Sequence, residues 1–285
     1  MMRFLTVLFA IGVAALAPAI ASAQSTPAPA ASPSPSPSPN PIGPAFGAND
    51  PCTSISALVT RPSVTNSVCT VRPNHVLVET GYQNLSNEGG GNAVTYPQAL
   101  IRVGLPIPAL EFDLTPPQIS RGNAGGAVTT GSTDVGAGLK YVFGYTPKFN
   151  YGGQVFFTAP TGLNGASAGG TTTSYALNAG YTLNSVFSLA GTVTALSQTN
   201  GAQRWPSLVP SLVLGVTLPN ATGLNLEIAQ FTHANGPSTP TRTQYLLGIY
   251  RDIGPRVQLD TSFAVSPTAA TGRYKYVGFG ASFYL

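Results

Sequence analysis

The stretch from Ser132 to Gly162 constrains the fold more than any other, because apolar side chains alternate in it with small or charged ones. The apolar positions of its first half are Val135, Ala137, Leu139, Tyr141 and Phe143. The intervening positions hold glycines and the charged residues Asp134 and Lys140. A turn at 144–147 and a second alternating run at 148–158 follow. Alternation with period 2 predicts two strands, each with one apolar and one polar face.

This hairpin differs from one in a soluble protein in two respects. Charged residues share a face with glycines, and aromatic side chains crowd the turn. The aromatic residues are Tyr141, Phe143, Tyr145, Phe149 and Tyr151. Both features are typical of a transmembrane β-barrel, whose outward face is apolar, whose interior is polar or small, and whose membrane boundary carries an aromatic girdle.

The low charge content supports this interpretation. Only 8% of the 285 residues are charged, although 43% are hydrophobic, whereas soluble domains carry about 25% charged residues. A lipid-facing strand excludes charge, because one Lys or Arg at the middle of the membrane costs about 2–4 kcal/mol. No basic cluster interleaved with aromatic residues occurs, so we expect no nucleic-acid partner.

Residues 1–23 have the pattern of a secretory signal peptide. Arg3 supplies the positive charge, Phe4 to Leu16 form the apolar core, and Ala21-Ser22-Ala23 gives a cleavage site. A single membrane anchor is the weaker alternative, because Pro18 and small residues shorten the apolar run. We therefore expect an exported protein.

Two segments separate the signal peptide from the predicted barrel. Residues 24–48 are rich in Pro, Ser and Ala, which predicts a disordered tether. The tether is either a spacer that reaches toward peptidoglycan or a passive terminus. Residues 49–74 contain Cys52 and Cys69, an even pair that predicts a disulfide after export; free thiols are the alternative. We expect a stapled periplasmic segment below or inside the barrel mouth.

From residue 75 to 285, strand-like runs recur about twelve times. Short connections alternate with longer ones rich in Gly, Asn, Thr and Ser, including predicted loops at 83–93 and 116–131. Short turns on one side and long loops on the other are typical of outer-membrane barrels. The predicted fold is all-β: a transmembrane antiparallel up-and-down barrel of about 12 strands. Ten and fourteen strands are the alternatives.

The final run, YKYVGFGASFYL, predicts a strand that closes the barrel against the first one. Its apolar residues alternate with Gly278, Gly280 and Ser282. Closure abolishes sheet edges. The pattern Gly280-x-x-Phe283-x-Leu285 is similar to the C-terminal signal read by the bacterial outer-membrane assembly machinery, although Gly278 and the final Leu depart from that signal.

Two short motifs in the organising stretch resemble a known family. Thr133-Asp134-Val135-Gly136 and Gly138-Leu139-Lys140-Tyr141, followed by Pro160-Thr161-Gly162, resemble the "MetA-pathway of phenol degradation" outer-membrane family. The resemblance reaches, more weakly, from about His75 to the C-terminus. It implies a barrel that passes small organic molecules, and it supplies no catalytic residues.

Eight charged residues are predicted to line the lumen. They are Glu79, Arg102, Glu111, Asp113, Asp134, Lys140, Glu227 and Asp260. Such charges set solute preference along a pore, and six acids against two bases would disfavour anions. The alternative is that they pair with one another and hold the interior of a narrow barrel together. Both roles are compatible.

Other chemistry has little support in the sequence. The two histidines, His75 and His233, lie far apart and lack a characteristic nucleophile pattern, so we expect no catalytic, cofactor or metal site. Seven aromatic residues near the long-loop ends are predicted to form the outer aromatic belt, with a stacking platform for solutes as the alternative. They are Tyr82, Tyr96, Tyr175, Trp205, Phe231, Tyr245 and Tyr274.

The sequence therefore predicts a barrel in the lipid of a Gram-negative-type outer membrane. Its predicted function is passive passage of small organic solutes, of hydrophobic or aromatic kind. One alternative is a structural barrel with a closed lumen that displays external loops and a periplasmic tether. Another is a secreted soluble β-protein.

Overall fold

The chain is almost entirely β-structure in the computed structural model, which describes residues 50–87, 91–124, 127–234, 236–267 and 273–285. The predicted signal peptide and tether lie outside these residues. One four-residue helix, α1 (Ile55–Leu58), precedes the strands. No helix among the described residues is long and apolar enough to cross a membrane.

The described residues form fifteen strands, which build one sheet. The strands are β1 (Val76–Asn87), β2 (Asn92–Tyr96), β3 (Leu100–Gly104), β4 (Leu110–Thr115), β5 (Ile119–Ala124), β6 (Ala127–Ser132), β7 (Val135–Tyr145), β8 (Phe149–Ala159), β9 (Thr172–Thr182), β10 (Phe187–Thr199), β11 (Arg204–Leu218), β12 (Thr222–Phe231), β13 (Arg242–Asp252), β14 (Val257–Ser266) and β15 (Tyr274–Tyr284).

The sheet closes into a cylinder with twelve strand positions. Each strand from β7 to β15 pairs antiparallel with the next, and β7 continues through β4 and β3 to β1. The first and last strands then pair from Leu77↔Tyr284 to Asn87↔Tyr274. The prediction of a twelve-stranded antiparallel barrel is confirmed. We call the end with the short connections the turn end and the opposite end the loop end.

Three neighbouring positions of the wall hold strands that are broken in two. β1 pairs with β3 in its first half and with β2 in its second. β5 pairs with β2 and β6, above β4 and β7. The breaks at 97–99 and 116–118 contain Pro97, Pro116 and Pro117, which have no N–H for a ladder. Across the breaks, the Gln118 N–H donates to Thr133 Oγ1 at 3.0 Å.

The predicted loops at 83–93 and 116–131 are therefore wrong in extent. β1 continues to Asn87, and the β5–β6 hairpin replaces most of the second loop. Polar residues and glycines dominate these strand ends, so they lack the apolar alternation that identifies the lipid-facing strands.

The outward face of the barrel is apolar and exposed. Leu139 is 43% exposed, Leu177 67% and Phe279 57%, and the residues between such positions point inward and are mostly buried. Contiguous exposed apolar surface of this extent marks a membrane or protein contact. On a closed barrel that surrounds the whole cylinder, it fits lipid.

Leu177→Arg, at the centre of β9, should weaken the folded barrel by about 2–4 kcal/mol, because it places a cation in hydrocarbon. Reversible unfolding from lipid vesicles measures this change. The matched control is Leu163→Arg, which alters a 62% exposed leucine in the loop after β8. Equal stabilities for both variants would contradict a lipid-facing β9.

Candidate functional site

The turn-end half of the barrel interior is filled by residues 50–75, which we call the plug. The predicted disulfide is present: Cys52 and Cys69 are bonded, with Cα atoms 5.4 Å apart. Ile55, Leu58, Val59 and Val71 pack around it, against Leu77 and Tyr284 of the wall. The plug is thus a stapled unit with its own small core.

Arg102 of β3 joins the plug to the wall. Its guanidinium donates hydrogen bonds to Glu79 Oε1 at 2.9 Å and to Glu111 Oε1 at 2.8 Å. The same group donates to the plug carbonyls of Leu58 and Cys69, the latter at 2.8 Å. All of these side chains are buried. An arginine suits this position because its five N–H groups lie in a rigid planar fork.

The carboxylates on either side of Arg102 also bind the plug. The Val71 N–H donates to Glu111 Oε2 at 2.5 Å. Lys140 Nζ lies 3.6 Å from Glu111 Oε1. Asp113 is 3.8 Å from Arg102 Nε. These contacts form one buried charge network on β1, β3, β4 and β7.

A side-chain relay extends this network across the plug. Gln154 Nε2 donates to Asp113 Oδ2 at 2.7 Å, and Asn66 Nδ2 donates to Gln154 Oε1 at 3.2 Å. The wall network therefore holds the plug at two separate points, Asn66 and Val71.

Two further carboxylates accept hydrogen bonds from plug backbone groups. Glu79 Oε2 accepts from the N–H groups of Thr60 at 3.1 Å and Arg61 at 3.0 Å. Glu227 accepts from Val64 N–H at 2.8 Å and from Thr65 N–H at 2.5 Å and hydroxyl at 2.6 Å. Backbone amides thus satisfy carboxylates whose burial would otherwise be costly.

The side chain of Arg61 lies directly behind the join between the first and last strands. It forms an ion pair with Asp260 at 3.3 Å. The register partners Gly81 and Gly280 lie beneath it. A Cβ on either glycine would lie 2.5 Å or less from the Arg61 guanidinium. Inward glycines here make room for the plug.

The structure therefore brings seven of the eight predicted lumen residues together around the plug, and leaves Asp134 apart. The sequence alone did not identify the plug as their partner. The signal that was available is the coincidence of inward glycines and inward acids with a stapled segment directly before β1. The part of these charges in solute preference stays a prediction.

Asp134 organises the loop that follows β8. Its carboxylate accepts hydrogen bonds from the N–H groups of Gly162 and Ala168, both at 2.9 Å. This loop covers the outer edge of β6, where Leu163 N–H donates to Ser132 O at 2.9 Å. Burial raises the pKa of Asp134, but hydrogen bonds from Ser167 and the loop amides outweigh it and hold that pKa below its ordinary value of 3.8.

A crevice remains between the plug and the wall formed by β8–β12. Its volume is about 200 Å³, and small or polar side chains line most of it, including Ser67, Asn150, Ser188, Ala190 and Asn225. The plug is thus held tightly on the side of the charge network and loosely on this side. The crevice is a candidate route for a small solute.

The loop-end half of the interior is more apolar than the plug region. Trp205 and Tyr274 are each only 6% exposed, and Phe231 faces inward beside Arg242. The prediction that these three belong to the outer belt is therefore wrong, whereas Tyr175 and Tyr245 are exposed on the outside. A girdle position and an interior position on a strand differ by one residue of register, which loop composition does not define.

Neither histidine has the surroundings of a catalytic residue in the described part of the chain. His75 stacks on Tyr284 with ring centroids 5.2 Å apart. His233 Nδ1 lies 3.1 Å from the carbonyl oxygen of Thr239. The described residues contain no group of three or more His, Cys, Asp or Glu that could hold a metal ion.

The chain matches no family model, and no curated protein matches it. Solved structures do resemble it. The COG4313 outer membrane channel from Pseudomonas putida F1 is 12% identical, with 76% of this chain and 97% of that chain covered and a TM-score of 0.54. For the KdgM porin in complex with disordered oligogalacturonate, the values are 9%, 72%, 98% and 0.48. For the CymD monoaromatic hydrocarbon channel, they are 10%, 74%, 88% and 0.43. At 12% identity, the first likeness shows a shared barrel fold.

Arg102→Met should destabilise the plug-bound barrel by about 3–5 kcal/mol, because it leaves buried carboxylates without their cation. Unfolding in lipid vesicles measures the loss, and faster amide exchange at residues 58–71 locates it. Arg251→Met is the control, since Arg251 is exposed on β13. Unchanged exchange in the plug of Arg102→Met would contradict its anchoring role.

The loop held by Asp134 should loosen in acid. Because the pKa of Asp134 is lowered in the folded state, its stabilising contribution is complete above the ordinary value of 3.8 and is lost as the pH falls through the lower folded value. Asp134→Asn should reproduce the acid behaviour at neutral pH. Amide exchange at Gly162 and Ala168, corrected for intrinsic rates, measures both, with Asp252→Asn at the turn end as control.

Proposed function

We propose that the protein is an outer-membrane channel that passively passes small organic solutes. The observation that carries the proposal is the closed barrel with an apolar exterior, whose plug leaves a crevice of about 200 Å³ against β8–β12. Exterior and closure fit a membrane-spanning barrel, and the crevice fits a narrow route rather than a wide porin pore.

The lining of the interior supports organic solutes in particular. A solute that enters from the loop end first meets inward aromatic and aliphatic side chains, among them Trp205, Leu246 and Tyr276. It then reaches the mixed polar surface of the crevice beside Asn150 and Ser188. Binding sites for small organic molecules commonly combine apolar walls with a few polar groups.

We also infer that the chain is a divergent member of the MetA-pathway of phenol degradation family. The two motif halves that carry the resemblance bind each other in this structure. Gly162 N–H donates to Asp134 Oδ1 at 2.9 Å, and Val135 N–H donates to Thr161 Oγ1 at 2.9 Å. The motif therefore has a physical role in holding the loop at the loop end.

The remaining proposals concern targeting and partners. Residues 1–23 would direct export, residues 24–48 would tether the barrel toward peptidoglycan, and the C-terminal strand would be read by the barrel assembly machinery. Lipid surrounds the apolar exterior, and a small organic solute occupies the interior. We propose no enzymatic activity and no cofactor.

A structural barrel with a closed lumen is the second candidate. The extensive binding of the plug by Arg102, Glu111 and Glu227 favours it, because such contacts would also serve to keep the interior shut. The two candidates differ in whether the wild-type protein supports any flux.

Proteoliposomes with the wild-type protein should swell in small organic solutes such as benzyl alcohol derivatives and short sugars. Ala190→Trp should strongly reduce this flux, because residue 190 lines the crevice and an indole fills much of about 200 Å³. Ala195→Trp, outward on the same strand, should leave it unchanged. A wild-type barrel without flux would favour the structural candidate instead.

A further inference from the structure

Charge is distributed very unevenly along the barrel interior. Toward the turn end, the inward charges are bound to the plug or to one another. On the loop side of Glu227, the inward-facing strand residues that the structure describes carry one charge, that of Arg242. Asp134 is engaged by loop amides, and Glu88 lies outside the described residues.

Arg242 is held in a defined orientation by two aromatic rings. Its guanidinium carbon lies 4.5 Å from the ring centroid of Phe231 and 4.4 Å from that of Tyr274. Stacking of this kind occupies the faces of the guanidinium and leaves recognition to its edges. Nε is buried and has no hydrogen-bond partner among the described residues. The side chain as a whole stays partly exposed.

An apolar surface lies next to this cation inside the barrel. Leu246, Ala264, Tyr274 and Tyr276 form a buried cluster, against which Leu85 of β1 packs. Leu246 lies four residues along β13 from Arg242 and faces the same way. The loop-end interior thus combines one oriented cation with an adjacent aromatic and aliphatic wall.

Other basic residues at the loop end face away from this space. Lys275 alternates with the inward Tyr274 and Tyr276 and is exposed on the outer surface. Arg204 donates to the loop carbonyl of Thr171 at 2.7 Å. The field within the loop-end interior therefore depends mainly on Arg242.

We propose that the loop-end interior selects small organic anions with an apolar body, such as aromatic carboxylates, and that Arg242 is the residue that determines this preference. The proposal rests on the proposed channel function and names its solute class. An arginine edge matches the two oxygens of a carboxylate, and the apolar cluster accepts the ring. Inward substitutions in a barrel tune selectivity with little effect on its lipid contacts. The inference reverses the expectation that the lumen acids disfavour anions, because those acids are engaged by the plug and their wall partners.

Single-channel recording in a potassium chloride gradient tests the charge preference. The wild-type reversal potential should have the sign of anion selectivity. Arg242→Gln should shift it toward zero, Arg242→Lys should retain most of it, and the outward control Lys275→Gln should leave it unchanged. An unchanged potential in Arg242→Gln, or cation selectivity in the wild type, would overturn the proposal. Heat-modifiable gel migration checks that each variant is folded.

A binding measurement separates this proposal from the proposed channel function. Trp205 is the single tryptophan of the chain and lies in the loop-end interior. Its fluorescence in detergent should respond to benzoate, more strongly than to benzyl alcohol. Affinity for benzoate should fall about tenfold in Arg242→Gln, since a charge-assisted hydrogen bond is lost. Binding without flux would refute only the channel, whereas flux with equal affinity for both probes would refute only the anion site.

Discussion

Hydrocarbon offers no hydrogen-bond partner to a peptide group, and this constraint governs the whole structure. Every strand that spans the wall must pair on both sides, so the sheet closes where β15 meets β1. Closure of twelve strands encloses a space that inward side chains only partly fill. The chain fills the rest with its own plug, which leaves a crevice on one side and an apolar chamber at the loop end.

The wall and the plug supply each other's missing partners. Glu79, Glu111 and Glu227 would be costly to bury alone, and the plug amides would be equally costly to bury without acceptors. Arg102 binds both sides at once, through wall carboxylates and plug carbonyls. Removal of one member therefore affects the others, and the interior behaves as a single cooperative unit rather than a pore with an inserted stopper.

The alternation of apolar and small residues was enough to predict the barrel, its strand number and its lipid-facing side. Leu139, Leu177 and Phe279 lie outward because a period of 2 assigns faces without any knowledge of the partners. The inward charges could be found in the same way, but not the backbone N–H groups they bind, since plug residues such as Thr65 carry no periodic pattern. Trp205 and Tyr274 were assigned to the wrong face because a single residue of register separates girdle from interior. The β5–β6 hairpin was missed because it has no apolar alternation.

The position of Arg61 has a consequence for how the molecule is built. Its side chain lies on the inner surface of the join, across Gly81 and Gly280, which belong to the first and last strands. The plug precedes β1 in the chain, while β15 is its final strand. Insertion of a stapled segment through a sealed wall would require that wall to reopen. The order of assembly that fits is a wrapping one, in which the nascent sheet curls around a segment already in place and the terminal strand seals it inside.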